Sequence, residues 1–132
     1  MSRYFSQKCN LAGVWENELG SQVAISKVDT DGLLTGSYNT AVSVSGKPVS
    51  TSPLSGYQQK SDQNPGGPTF GFTVNWTSTE TTTAFAGQCF MDQNGKEVLK
   101  TMWLLRDRVE GATEDWKATR VGTNVFARVG HR

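Results

Sequence analysis

Residues 68–76 read PTFGFTVNW, and from the second position onward apolar and polar side chains alternate almost without a break. Phe70, Phe72, Val74 and Trp76 point one way, and Thr69, Gly71, Thr73 and Asn75 the other. A period of two over this span predicts a half-buried β-strand, because successive side chains leave opposite faces of a sheet. Similar segments recur along the chain at 13–17, 22–28, 33–40, 54–59, 81–90, 97–106 and 117–128. Turn signals separate them: Leu19-Gly20-Ser21, the Asp31-Gly32 pair, the Gly/Pro/Asn cluster at 61–68, and Asn94-Gly95. A charged loop at 107–115, ending at Trp116, precedes the last strand. No segment carries sustained helical periodicity and no internal repeat is evident. The pattern predicts an all-β chain, an eight-stranded antiparallel up-and-down β-barrel.

The seventh strand breaks the rule that one face is apolar. Thr101, Trp103 and Leu105 share one face, while Val98, Met102 and Leu104 share the other. Either the alternation there is loose, or another subunit covers the outside of the barrel.

Taking the inward face of each strand gives aromatic walls at Trp76, Phe85, Trp103 and Phe126, with Asn17, Tyr38, Thr40, Thr83 and Asn124 among them. A plain core would not hold so many amides and hydroxyls, since each buried polar group left unpaired costs about 1 to 3 kcal/mol. Two readings stand. The groups pair with one another and with trapped water, or they line a cavity for a compact, uncharged polar ligand with an apolar body. The long polar segment at 39–52 is then a candidate lid.

Length and charge narrow the classes. The chain of 132 residues reads as one domain over 1–132, with an ordered barrel over about 8–128 and short flexible termini. Lys and Arg number 13 against 12 Asp and Glu, for a formal charge of +1, and no basic run is longer than two residues. This argues against nucleic acid and anionic membranes as partners. No apolar run approaches the roughly 20 residues that span a bilayer, and the first seven residues lack a signal-peptide core. Taken bare, that start reads as cytosolic unless a leader has been replaced. The sole histidine, His131, is next to last, so a histidine triad or a His-ligated metal has little support. No phosphate-binding glycine motif joins a strand to a helix. Cys9 and Cys89 are either two buried free thiols or a pair closing a long loop. A pair would be worth about 4.5 kcal/mol in the chain-entropy model and would point to an oxidising compartment.

Several runs go further: Lys8-Cys9, Gly13-Val14-Trp15, Leu19-Gly20-Ser21, Ser52-Pro53-Leu54, the 68–76 strand, Gly87-Gln88-Cys89-Phe90, and residues 94–106 and 115–122. In these, nearly along its whole length and in order, the chain resembles the avidin and streptavidin family, the vertebrate avidins above all. The resemblance implies a secreted, disulfide-bonded barrel that binds biotin non-covalently with high affinity. It implies a homotetramer, no enzyme activity and no cofactor. Streptavidin is itself a standard instance of eight strands enclosing one small ligand, and biotin–streptavidin is among the tightest non-covalent complexes known; those magnitudes belong to that protein.

Carried over residue by residue, the resemblance implies that Asn17, Ser21 and Tyr38 donate to the ureido oxygen of biotin, with Leu19 beside them. Thr40 and Asn124 would accept from the ureido N–H groups, and Thr83 would face the thioether sulfur. Trp76, Phe85 and Trp103 would wall the ring system, and Leu105 would be a further biotin-binding position. Ser43, Val44 and Ser45 of the lid, with Thr79 and Thr81, would meet the carboxylate, and Val42 beside them would be a further biotin-binding position. Trp116 matches a tryptophan lent to a neighbouring subunit's pocket. Met102, Val121 and Thr123, with Trp116, match subunit contacts, and Cys9 and Cys89 match an intrachain disulfide.

Departures from the family pattern carry expectations of their own. Ser78 stands where a family member has an aromatic that covers the ligand, Val44 is larger than usual in the lid, and Pro48 stiffens it. Faster biotin release is expected. Thr123 replaces a bulkier aliphatic residue, which predicts a weaker subunit contact. Asn75-Trp76-Thr77 is a glycosylation sequon in a strand beside the pocket. The family implies an antimicrobial role by vitamin deprivation. A carrier of another small hydrophobic ligand on the same barrel is the alternative, and the inward amides and hydroxyls argue against it.

Overall fold

The computed structural model of the chain describes residues 9–40, 51–60 and 66–130. Eight strands are present: β1 (Gly13–Asn17), β2 (Gln22–Val28), β3 (Leu33–Asn39), β4 (Thr51–Gln58), β5 (Thr69–Asn75), β6 (Thr82–Met91), β7 (Glu97–Arg106) and β8 (Thr119–Arg128). Each pairs antiparallel with the next, and β8 returns to β1 to close the barrel. This is the all-β up-and-down architecture that the alternation predicts.

The turns show why consecutive strands pair. Asp29 Oδ1 accepts from the backbone N–H of Asp31 at 2.9 Å and of Leu33 at 3.0 Å, and Gly32 takes φ +91°. Asp92 Oδ1 does the same for Asn94 and Lys96 at 2.8 and 2.9 Å, with Gly95 at φ +78°. The aspartate holds the turn and the glycine supplies the left-handed residue that closes it.

Within the barrel the inward side chains pack in register. On β5, Phe70, Phe72 and Val74 are buried, and Phe72 faces Phe85 of β6 with ring centroids 5.0 Å apart. One end is sealed by Leu11, Trp15, Leu99 and Phe126, all almost fully buried. Trp15 Nε1 donates to the Leu11 carbonyl at 2.9 Å, so the polar atom of a fully buried indole is satisfied. Arg128 lies over the Trp15 ring at 4.2 Å and donates to Glu97 at 2.5 Å and to the Ala12 carbonyl at 2.8 Å. Cys9 and Cys89 form a disulfide at this end, with Cα atoms 6.1 Å apart, which resolves the two readings of the cysteines.

The alternation on β7 is strict rather than loose. Leu99 and Thr101 are buried, whereas Met102 and Leu104 are exposed. Across the ladder Leu104 faces Val121 and Met102 faces Thr123 on β8, so the apolar outer positions form one patch. Several strand ends shift by one or two residues, and two departures from the pattern are larger. β4 begins at Thr51, earlier than expected, because the buried inward residue there is Ser52, whose Oγ accepts from the Thr77 N–H at 3.1 Å; a polar inward residue hides the alternation. Residues 112–117 form a short 3-10 helix, Ala112–Lys117, where the sequence reads as loop; too short for any period, it leaves no pattern to detect.

Candidate ligand-binding site

In an up-and-down barrel the odd-numbered strands all finish at the same end, here the one opposite the disulfide. The inward polar residues gather toward it. Asn17 closes β1, Tyr38 lies near the end of β3, Thr83 lies near the start of β6, and all three are buried. Trp76 follows β5, and Trp103 and Leu105 lie toward the end of β7, each half-buried. Asn124 on β8 is buried and sits one inward position from Phe126, the cross-strand partner of Asn17. The two asparagines are therefore diagonal neighbours across the seam where the barrel closes.

Their amides are held in opposite senses. Asn17 Oδ1 accepts from the backbone N–H of Leu19 at 2.9 Å and of Ser21 at 3.0 Å, a turn that occupies the carbonyl. What remains is the NH2, which donates to Tyr38 Oη at 3.5 Å. In Asn124 the NH2 is the occupied end: Nδ2 donates to Glu18 Oε1 at 3.4 Å. Its side-chain carbonyl is the group left over. Thr101 Oγ1 donates to the Asn124 backbone carbonyl at 2.9 Å and anchors the residue from β7. One asparagine thus presents a donor and the other an acceptor.

Burial pushes the Tyr38 phenol above its ordinary pKa of 10.0, hydrogen bonds from the Ser21 and Asn17 side chains act against this, and the nearby Glu18 charge adds to it. The phenol stays neutral and able to donate. Glu18 is held below its ordinary 4.5, first by its own backbone N–H, with weak burial opposing, then by the Val125 N–H and the Asn124 amide. It remains a carboxylate.

The walls are aromatic. Tyr38 meets Trp76 edge-on with centroids 5.0 Å apart and lies stacked with Phe85 at 5.8 Å; Phe85 in turn meets Phe126 at 6.2 Å. Trp76 Nε1 donates to Thr83 Oγ1 at 2.8 Å, so some inward polar groups do satisfy one another. Trp103 faces Gly122 across the β7–β8 ladder, and a Cβ at Gly122 would fall 2.3 Å from the indole. The indole lies against bare backbone there. Gly122→Ala is expected to push it away, cost about 1 to 3 kcal/mol as other overpacked sites do, and shift the tryptophan emission. An unchanged emission spectrum would show that the ring has room elsewhere.

Ser21 and Thr40 are half-buried at the same end. The Leu19 side chain is 74% exposed, and its part in the arrangement is the backbone N–H given to Asn17. Thr79 and Thr81 share a hydrogen bond at 2.5 Å. Val42, Ser43, Val44 and Ser45, the lid positions, lie outside the described residues, as does His131. Trp116 sits on the 3-10 helix and is 82% exposed. Glu18 is the residue that sequence reasoning missed, because an acidic residue in a turn reads as a solvated surface group. Among the described residues, the one cluster of metal-ligand types is Cys9, Cys89 and Glu97, and its two sulfurs are consumed by the disulfide.

The avidin family's sequence profile matches residues 5–129. The chain belongs to the avidin family. It is 53% identical to avidin of Gallus gallus over 124 residues, 94% of this chain and 81% of that one. To avidin-related protein 1 of the same species it is 50% identical over 123 residues, 93% of this chain and 80% of the relative. Among solved structures, the biotin binding protein from chicken superposes with a TM-score of 0.85 at 52% identity, covering 94% of this chain and 99% of that one. Xenavidin gives 0.83 at 46%, covering 92% and 99%. As a family member the chain is a binding protein rather than an enzyme, and it uses no cofactor.

Proposed function

We propose that the chain binds biotin non-covalently in the cavity at the open end of the barrel, as a single domain over the whole sequence. The observation that carries this reading is the opposite polarity of the two asparagines. A ureido group presents one carbonyl acceptor flanked by N–H donors, and a site suited to it needs converging donors beside acceptors. Asn17, Ser21 and Tyr38 are the donors to the ureido oxygen; Thr40 and Asn124 accept from the N–H groups. Thr83 lies against the sulfur, and Trp76, Phe85, Trp103 and Leu105 cover the ring faces. Thr79, Thr81 and residues 42–45 receive the carboxylate. Side chains already held by the fold lose little freedom on binding, the condition for tight binding of a small ligand.

The assembly is a homotetramer in which Trp116 of one chain covers a neighbour's cavity. Its 82% exposure and the exposed apolar patch of Met102, Leu104 and Val121 support this, since such surface on a lone domain seeks a partner. Thr123, beside that patch, joins the contact. The disulfide supports secretion, and sequestration of biotin outside cells is an antimicrobial role by vitamin deprivation. Ser78 is exposed at the mouth, consistent with faster release than in relatives that carry an aromatic there.

Titration with biotin, followed by tryptophan fluorescence with the native mass measured alongside, tests the reading. Saturation at one biotin per chain and a mass of four chains are expected. A folded, biotin-free protein that gives no response would sink it, and displacement of a fluorescent fatty acid would then favour the hydrophobic-carrier alternative.

A further inference from the structure

The β1–β8 ladder is short: it pairs Trp15 with Arg128, Glu16 with Ala127 and Asn17 with Phe126, and then β1 turns away toward β2. The next residue of β8 facing that edge, Val125, would be left with an unpaired N–H. The Glu18 carboxylate takes its place in the ladder, accepting from the Val125 N–H at 3.1 Å through Oε1 and 3.3 Å through Oε2. The same Oε1 receives the Asn124 Nδ2 at 3.4 Å. One carboxylate therefore continues the seam and fixes one side-chain amide. A carboxylate only accepts, so the Asn124 NH2 must be the end that faces it, and the carbonyl the end that does not.

We propose that Glu18 is a positioning and specificity-determining residue of the cavity: by holding the Asn124 amide in one of its two flips, it makes the site require an N–H on the ligand atom that meets Asn124. This rests on the biotin reading above for the identity of the ligand, but the hold on the amide does not. The reasoning is one of exclusion. An amide rotated by half a turn would set its NH2 against the ligand N–H and its oxygen against the Glu18 carboxylate, two repulsive contacts in place of two hydrogen bonds. Specificity of this kind is strong, because a site built to bond an N–H leaves its acceptor unpaired when the ligand lacks one.

The test compares biotin with its cyclic carbamate analogue, in which the ureido nitrogen on the Asn124 side is replaced by oxygen, on the wild type and on Glu18→Gln, Glu18→Ala and Glu18→Lys. The quantity read is the ratio of their dissociation rates. In the wild type the analogue should leave at least about tenfold faster, as expected for a lost hydrogen bond facing an unpaired acceptor. E18Q keeps an acceptor oxygen and should keep most of that ratio. E18A frees the amide and E18K donates to its oxygen, so in both the ratio should collapse toward one while biotin itself leaves about tenfold faster. A ratio unchanged in E18A and E18K, with only the thermal midpoint lowered, would overturn the proposal and leave Glu18 as a clamp on the seam. If the wild type does not bind biotin, the ligand assignment falls instead. The side-chain amide resonances of Asn124 in the ligand-free protein then decide: a shift in E18A that E18Q largely spares supports the hold, and no shift overturns it.

Discussion

The double substitution Cys9→Ser, Cys89→Ser is expected to remove about 4 to 5 kcal/mol of stability and to lower the thermal midpoint by roughly 15–20 °C. The bridge spans a sequence separation of 80, and closing so long a loop removes much of the unfolded chain's freedom. It also ties the segment before β1 to β6 across the sealed end. Cys89 is fully buried there, its backbone N–H donates to the Pro68 carbonyl at 3.1 Å, and its own carbonyl accepts from Gly67 at 2.8 Å. Gly67 runs so close that a Cβ would fall 2.7 Å from the Cys9 Cβ, so the region has no slack to absorb the loss. Scanning calorimetry checks the midpoint. The proposed site lies at the other end, so at room temperature the double variant should bind with nearly unchanged affinity; an unaltered midpoint would show that the barrel alone supplies the closure.

Asn17→Asp is expected to weaken biotin binding by roughly two to three and a half powers of ten, the equivalent of about 3 to 5 kcal/mol for negative charge set against an acceptor of the ligand. The substitution keeps the shape. One carboxylate oxygen still accepts from Leu19 and Ser21, so the turn that Asn17 holds should survive. The other oxygen puts negative charge where the amide offers a donor, against the ureido oxygen in the proposed arrangement. Calorimetric or competition titration gives the magnitude, and a thermal midpoint within a few degrees of the wild type separates lost binding from lost folding. Affinity within tenfold of the wild type would mean that Asn17 does not face the ureido oxygen. Both outcomes are readable in the same preparation.

What could be read ahead of the fold depended on whether a residue's role is set by its neighbours along the chain. The β5 alternation and the Asp-Gly and Asn-Gly turns depend on near neighbours, and they led directly to eight paired strands. Inward facing followed from the same period for Asn17, Tyr38, Thr83, Phe85 and Asn124, all buried as the alternation requires. Where an inward residue is polar and small, as at Ser52, the period loses contrast and the start of β4 is misplaced. The 3-10 helix carrying Trp116 is only six residues long and leaves no pattern. Resemblance to a family named jobs for residues that the pattern placed only on a face.

The sequence by itself determined the strands, their order, the hairpin connections and which side chains turn inward, because a period of two and a turn residue are local properties of the chain. Only the tertiary structure decided that Cys9 and Cys89 meet, that the apolar outer face of β7 joins Val121 in one patch, and that Glu18 reaches across the seam to Asn124. These are contacts between residues 80, 17 and 106 positions apart, brought together by closing the barrel, and no local period encodes which edge meets which.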